Sequence, residues 1–132
     1  MKNVIKAFLA ASLFSLLSCA TGYVSSDGEI LKPYLNPAEL KALIESDQNE
    51  IWIIDVRPSS AYSGGHIPTA RSYPSSVINE KLDELPRSKY LILYCETGGR
   101  AQMVIKSLEK EGYSRMMNWG GYTRWPYALV TE

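Results

Sequence analysis

YLILYCETGGRAQMVIKSLEKEG, residues 90–112, carries a strand, a loop and a helix in direct succession. Tyr90 to Tyr94 is a continuous apolar run, the pattern of a strand covered on both faces rather than one. From Gly99 to Glu111 the apolar residues change period: Ala101, Val104, Ile105 and Leu108 recur at i, i+3, i+4 and i+7, and Gly112 is placed to end the helix. Cys95 falls between the two. In an open sheet with such crossovers, ligands sit beyond the carboxyl ends of the strands, and a cysteine there is placed for chemistry.

Working outward, the same alternation continues. Asn36-Pro37-Ala38-Glu39 supplies a capping side chain, a proline at the first helical position and an acid three residues past the cap. Leu40, Leu43 and Ile44 then form one apolar stripe, ending in the polar cluster Ser46-Asp47-Gln48-Asn49. Ile51 to Ile54 is a second buried-strand run with Asp55 at its carboxyl end. Arg115 to Asn118 predicts another strand, after which Gly120-Gly121 is expected to open a turn before Trp125-Pro126. Strands alternating with helices specify an α/β domain with a largely parallel sheet.

Composition agrees with one small globular domain: 45% of the 132 residues are hydrophobic and 21% charged, which excludes disordered and disulfide-framework classes. Two cysteines and one histidine are too few for an ordinary Cys/His zinc site, so no metal is expected. The amino terminus reads as an address. Lys2 and Lys6 precede an apolar run of 11 residues, Ala7 to Leu17, the order of a bacterial export signal. That run is short of the roughly 20 residues of a membrane-spanning helix. Leu16-Leu17-Ser18-Cys19 resembles the lipobox of bacterial lipoproteins, which implies cleavage after residue 18 and a lipid on Cys19. Ala20 after the cysteine implies the outer rather than the inner membrane, with the domain facing the periplasm.

The segments are then 1–18 as signal peptide, 19–29 as lipidated cysteine and flexible tether, and 30–132 as the folded domain. Losing Lys2 and Lys6 from fourteen basic groups leaves twelve against fourteen acidic ones, a formal −2 that offers nothing to nucleic acid. With Cys19 acylated, Cys95 is the only thiol and cannot enter an intramolecular disulfide.

The loop Cys95-Glu96-Thr97-Gly98-Gly99-Arg100 has glycine where a tight curl needs positive φ or close backbone approach. Such a curl aims successive N–H groups at one point, and the following helix adds its positive end, so an anion is stabilised there: a thiolate, a persulfide or a bound oxyanion. A thiol activated this way needs no histidine base, and His66, the only histidine, reads as a turn-fixing residue. Arg100 can add charge or brace the loop.

Five ordered segments resemble those of the single-domain rhodaneses, thiosulfate or persulfide sulfurtransferases. They are Asn36 to Leu40, Ile54-Asp55-Val56-Arg57, Gly65-His66-Ile67-Pro68-Thr69-Ala70, Tyr94 to Ala101, and Trp119-Gly120-Gly121 with Trp125. The resemblance implies a rhodanese-like domain whose five-stranded, mostly parallel sheet is flanked by helices on both faces. It implies an enzyme in which Cys95 is the nucleophile and carries a persulfide, while Glu96, Thr97, Gly98, Gly99 and Arg100 form the substrate loop and Asp55 and Arg57 support it. It implies no cofactor, a small sulfur donor, a cyanide or thiol acceptor that could be an envelope protein, and a monomer. The alternative is a binding or sulfur-carrier module without rapid turnover.

Related phosphatases and arsenate reductases place five residues between cysteine and arginine; four stand here, which favours sulfur over oxyanion chemistry. Thr69 replaces the usual glycine of its turn. Glu96 puts a negative charge beside the nucleophile, which opposes capture of dianionic thiosulfate and favours a persulfide or polysulfide donor.

Overall fold

The computed structural model describes residues 20–132. The expected signal peptide of residues 1–18 and the expected lipid attachment at Cys19 lie outside the described residues. Four strands, β1 (Ile51–Asp55), β2 (Arg71–Ser72), β3 (Tyr90–Cys95) and β4 (Met116–Gly121), form one sheet in the order β2-β1-β3-β4, and every pairing is parallel. Three α-helices cover it: α1 (Pro37–Glu45), α2 (Ser59–Gly64) and α3 (Gly99–Lys110). The strand order reverses between β1 and β3, so the switch point of the sheet opens beside the carboxyl end of β3, where Cys95 stands.

Both faces of the sheet are buried, as its unbroken apolar runs require. Ile54, Leu91, Leu93, Cys95 and Met116 pack with Ala101, Val104, Ile105 and Leu108 of α3. The alternate residues Ile53, Ile92, Tyr94, Met117 and Trp119 pack with Leu40 of α1, Tyr62 of α2, and Leu31. The start of α1 forms as its sequence specifies: the Asn36 side chain accepts from the Ala38 N–H at 2.9 Å, with Pro37 following it. Gly112 leaves α3 at φ 91°, and the Tyr113 N–H returns to the Leu108 carbonyl at 3.1 Å.

Three expectations are corrected. The sheet has four strands among the described residues, not five. What runs along the outer side of β4 is the segment before the 3-10 turn Glu29–Leu35, and it makes only an isolated antiparallel bridge, Val24 to Met117. Gly22, Ser25 and Asp27 donate to the carbonyls of Asn118, Met116 and Ser114 at 2.7–3.0 Å, and Gly28 then turns the chain away. The same contacts replace the expected flexible tether over residues 21–29. Its hydrophilic composition hid two anchors: the Ser25 hydroxyl, buried against the Ser114 and Met116 carbonyls, and Tyr23, whose hydroxyl donates to Glu109 and accepts from Lys106. Finally, Gly120 and Gly121 do not open a turn; β4 continues through them to Gly121. Their lack of side chains is a packing requirement set by the loop beside them.

Candidate active site

Cys95 ends β3 and is almost wholly buried. The chain curls directly afterwards: Gly98 adopts φ 100°, and its N–H points back to Cys95 Sγ at 3.0 Å. Helix α3 begins at the next residue. Its first internal hydrogen bond runs from the Gln102 N–H to the Gly98 carbonyl, so the N–H groups of Gly99, Arg100 and Ala101 have no partner within the helix. The sulfur therefore sits against one committed donor at the positive end of α3.

Each remaining residue of the loop has a definite place. Gly98 is buried, whereas Glu96, Thr97, Gly99 and Arg100 are exposed. Arg100 makes no hydrogen bond or ion pair among the described residues; it lines a groove with Ser75, Ser76, Asn79 and Ser107. It does not brace the loop, and the bracing comes from a residue that sequence reading missed. Asn118, fully buried on β4, donates to the Gly98 carbonyl at 3.0 Å and to Gln102 Oε1 at 3.1 Å. Its own oxygen accepts from the Gly120 N–H at 2.9 Å. One side chain thus ties the cysteine loop, the first turn of α3 and the end of β4 together. The only signal was an amide in a strand otherwise apolar.

The register of β4 explains its glycines. Leu93 lies opposite Asn118 but Tyr94 lies opposite Gly120, so Trp119 is the extra residue of a bulge, and Gly120 takes φ 99° beside it. Cys95 then pairs with Gly121, where a Cβ would stand 2.5 Å from the Glu96 carbonyl oxygen. Only glycine lets the loop descend onto the strand.

Asp55 and Arg57 form the second layer. The Arg57 guanidinium meets Asp55 through Nε and Nη2, the shortest contact 2.8 Å, and Nη2 also donates to the Gly65 carbonyl at 2.7 Å. The Tyr94 hydroxyl donates to Asp55 at 2.8 Å and accepts from the Ile67 N–H. Burial first, and then the Asp55 charge, push the Tyr94 hydroxyl well above the ordinary tyrosine range, so it stays a donor. Burial opposes the charge of Arg57, but Asp55 more than offsets that and holds its pKa above the usual value. His66 is structural in its contacts. Its ring stacks on Tyr62 at 3.7 Å, and Nδ1 lies 2.8 Å from the Tyr62 carbonyl, which can only accept. Trp119 is likewise packing, buried with its indole N–H on the Tyr34 carbonyl, and Trp125 meets it edge-on.

A pocket of about 270 Å³ adjoins the loop, lined by Arg57, Ala61, Gly64, Gly65, Glu96, Tyr122 and Leu129. Three of its lining residues, Arg57, Glu96 and Tyr122, follow the carboxyl ends of β1, β3 and β4.

The family description "Rhodanese-like domain" matches residues 36–127. The chain belongs to the rhodanese-like domain family. The chain is also similar to two curated bacterial proteins. A putative sulfurtransferase, YtwF, of Bacillus subtilis is 33% identical over 91 residues, covering 69% of this chain and 87% of that one. A sulfurtransferase of Allochromatium vinosum is 28% identical over 81 residues, covering 61% and 76%. Among solved structures, a rhodanese-like domain protein from Staphylococcus aureus superimposes with a TM-score of 0.64 at 26% identity, covering 73% of this chain and 94% of that one. The rhodanese-like match ends at 127, so Leu129, one wall of the pocket, lies beyond the matched residues.

Proposed function

We propose that this rhodanese-like domain is a sulfurtransferase that carries sulfane sulfur on Cys95. One observation carries the reading: the Gly98 N–H lies 3.0 Å from Cys95 Sγ at the amino terminus of α3. In the first half-reaction the Cys95 thiolate attacks the outer sulfur of a donor. A new S–S bond forms to Sγ, the donor's S–S bond breaks, and the electron pair leaves on the donor remnant, sulfite in the case of thiosulfate. The persulfide is held by loop N–H groups until a thiol or cyanide removes the outer sulfur. Glu96 stands exposed in the loop with no ion-pair partner among the described residues, which supports a persulfide or polysulfide donor over dianionic thiosulfate. The resemblance of Leu16-Leu17-Ser18-Cys19 to a lipobox supports a lipid-anchored envelope protein as the carrier of this activity.

The test is an intact mass spectrum before and after incubation with thiosulfate and, separately, with inorganic polysulfide, beside Cys95→Ser. The expected result is a gain of one sulfur atom with polysulfide, absent from Cys95→Ser and reversed by cyanide, with slower loading from thiosulfate. No gain from either donor would overturn the proposal and leave a non-transferring binding module.

A further inference from the structure

At the amino end of β1, the opposite end of the sheet from Cys95, a cavity of about 280 Å³ opens on the sheet edge. Strand β2 covers that edge only from Ile54 onward: Ile54 pairs with Arg71 and Asp55 with Ser72, and the Tyr73 N–H reaches the Asp55 carbonyl at 3.0 Å. This register turns the main-chain groups of Ile51, Ile53 and Asp55 toward β2. At Ile51 the Gln48 side chain stands in for a neighbouring strand, its Oε1 accepting from the Ile51 N–H at 2.9 Å and its Nε2 donating to the Ile51 carbonyl at 3.0 Å. Ile53 has no such cover. A regular ladder would bring the Thr69 carbonyl to the Ile53 N–H, but Thr69 stands at φ 68°, outside strand geometry. The Ile53 N–H is left without a hydrogen-bond partner among the described residues. Ile53 is only 4% exposed, and an orphaned N–H at that depth is rare in folded proteins.

The rest of the cavity wall fits an anion. Arg71, exposed and 3.7 Å over the Trp52 ring, makes no side-chain hydrogen bond or ion pair among the described residues. Its Cα is the register partner of Ile54, so the free guanidinium is rooted one residue from the orphaned N–H. Leu43 and Ile44 of α1, with Ile51, are half-buried and give the cavity an apolar side. Asp47, exposed on the same wall, disfavours a ligand with a second negative charge. Gln48 blocks the addition of a strand along β1, and the volume lies just under the range of drug-sized sites. We infer that this cavity binds a small monocarboxylate with a short apolar chain. The carboxylate accepts from the Ile53 N–H and from Arg71, and the chain lies against Leu43, Ile44 and Ile51. The site is separate from the cysteine loop and uses none of its residues.

The experiment follows the backbone amide spectrum of the full chain while isocaproate, and separately its neutral isostere isocaproamide, is added at constant ionic strength. The Ile53 amide proton is expected to move downfield and saturate with isocaproate, half-complete at about 1–10 mM, the range open to so few ligand atoms. Isocaproamide should bind about tenfold more weakly, the scale of one charge-assisted hydrogen bond. Arg71→Gln should weaken isocaproate by a similar factor and abolish its advantage over the amide, while signals remote from the cavity keep their places. Cys95→Ser should bind isocaproate as the parent chain does. An Ile53 proton that ignores isocaproate, or answers acid and amide alike, would overturn the inference and leave that N–H to water. Undiminished binding by Arg71→Gln, or binding lost in Cys95→Ser, would overturn it equally.

Discussion

Thr69 shows how a single backbone angle can cost stability without serving the chemistry. It is the one non-glycine residue with positive φ among the described residues, at 68°, and its side chain is exposed and makes no hydrogen bond. The left-handed region costs an L-residue roughly 1–2 kcal/mol, of which glycine's extra freedom in the unfolded chain returns part. Thr69→Gly is therefore expected to stabilise the protein by about 0.5–1 kcal/mol, read as a higher urea midpoint at unchanged slope. A lower midpoint would show that Thr69 does more than tolerate its turn. The sequence made this position visible, because glycine is usual there, but the strain needed the observed angle. Asn118 is the converse. Its apolar neighbours mark it only as an amide out of place, and its value lies in meeting Gly98, Gln102 and Gly120 across a bulge that no periodicity announces.

Among the elements, β3, the cysteine loop and α3 were legible because each carries its own local signal: an apolar run, paired glycines, a helical stripe. Strand β4 was legible only in its first half. Its second half, Trp119-Gly120-Gly121, reads locally as a turn, and what keeps it extended is the loop lying across it. Gly121 has ordinary extended angles, φ −93° and ψ 146°, so its constraint is space alone. Gly121→Ala would push its methyl into the Glu96 carbonyl and the Thr97 backbone. The expected outcome is a fall of about tenfold or more in persulfide loading by polysulfide, with about 1–3 kcal/mol lost in stability, the usual scale of overpacking. Loading at the unaltered rate would show that the loop tolerates displacement and that the contact between Gly98 and Cys95 is dispensable.

At the scale of the molecule, the fold class followed from the alternation of periods, and the place of the candidate site was read from the sheet rule. The edge of the sheet did not. Polar composition made residues 21–29 look like a tether, yet their hydroxyls and amides are spent on β4, which local sequence cannot reveal. That packing constrains orientation. Thr21 lies against the active end of the sheet, close enough that a Cβ at Gly120 would meet its Oγ1 at 2.8 Å and one at Gly98 would meet it at 3.5 Å. Cys19 is two residues away along the chain, a reach of about 7 Å at full extension. On the reading of Cys19 as a lipid attachment, the domain does not float on a leash; its catalytic mouth is held down toward the bilayer surface. Cys19→Ser should then move the protein to the soluble fraction and speed alkylation of Cys95 by a bulky water-soluble maleimide, and retention in the membrane fraction would sink the anchor. A mouth turned to lipid would meet reagents confined to that surface before those in bulk water, so the anchor would select substrates as well as location.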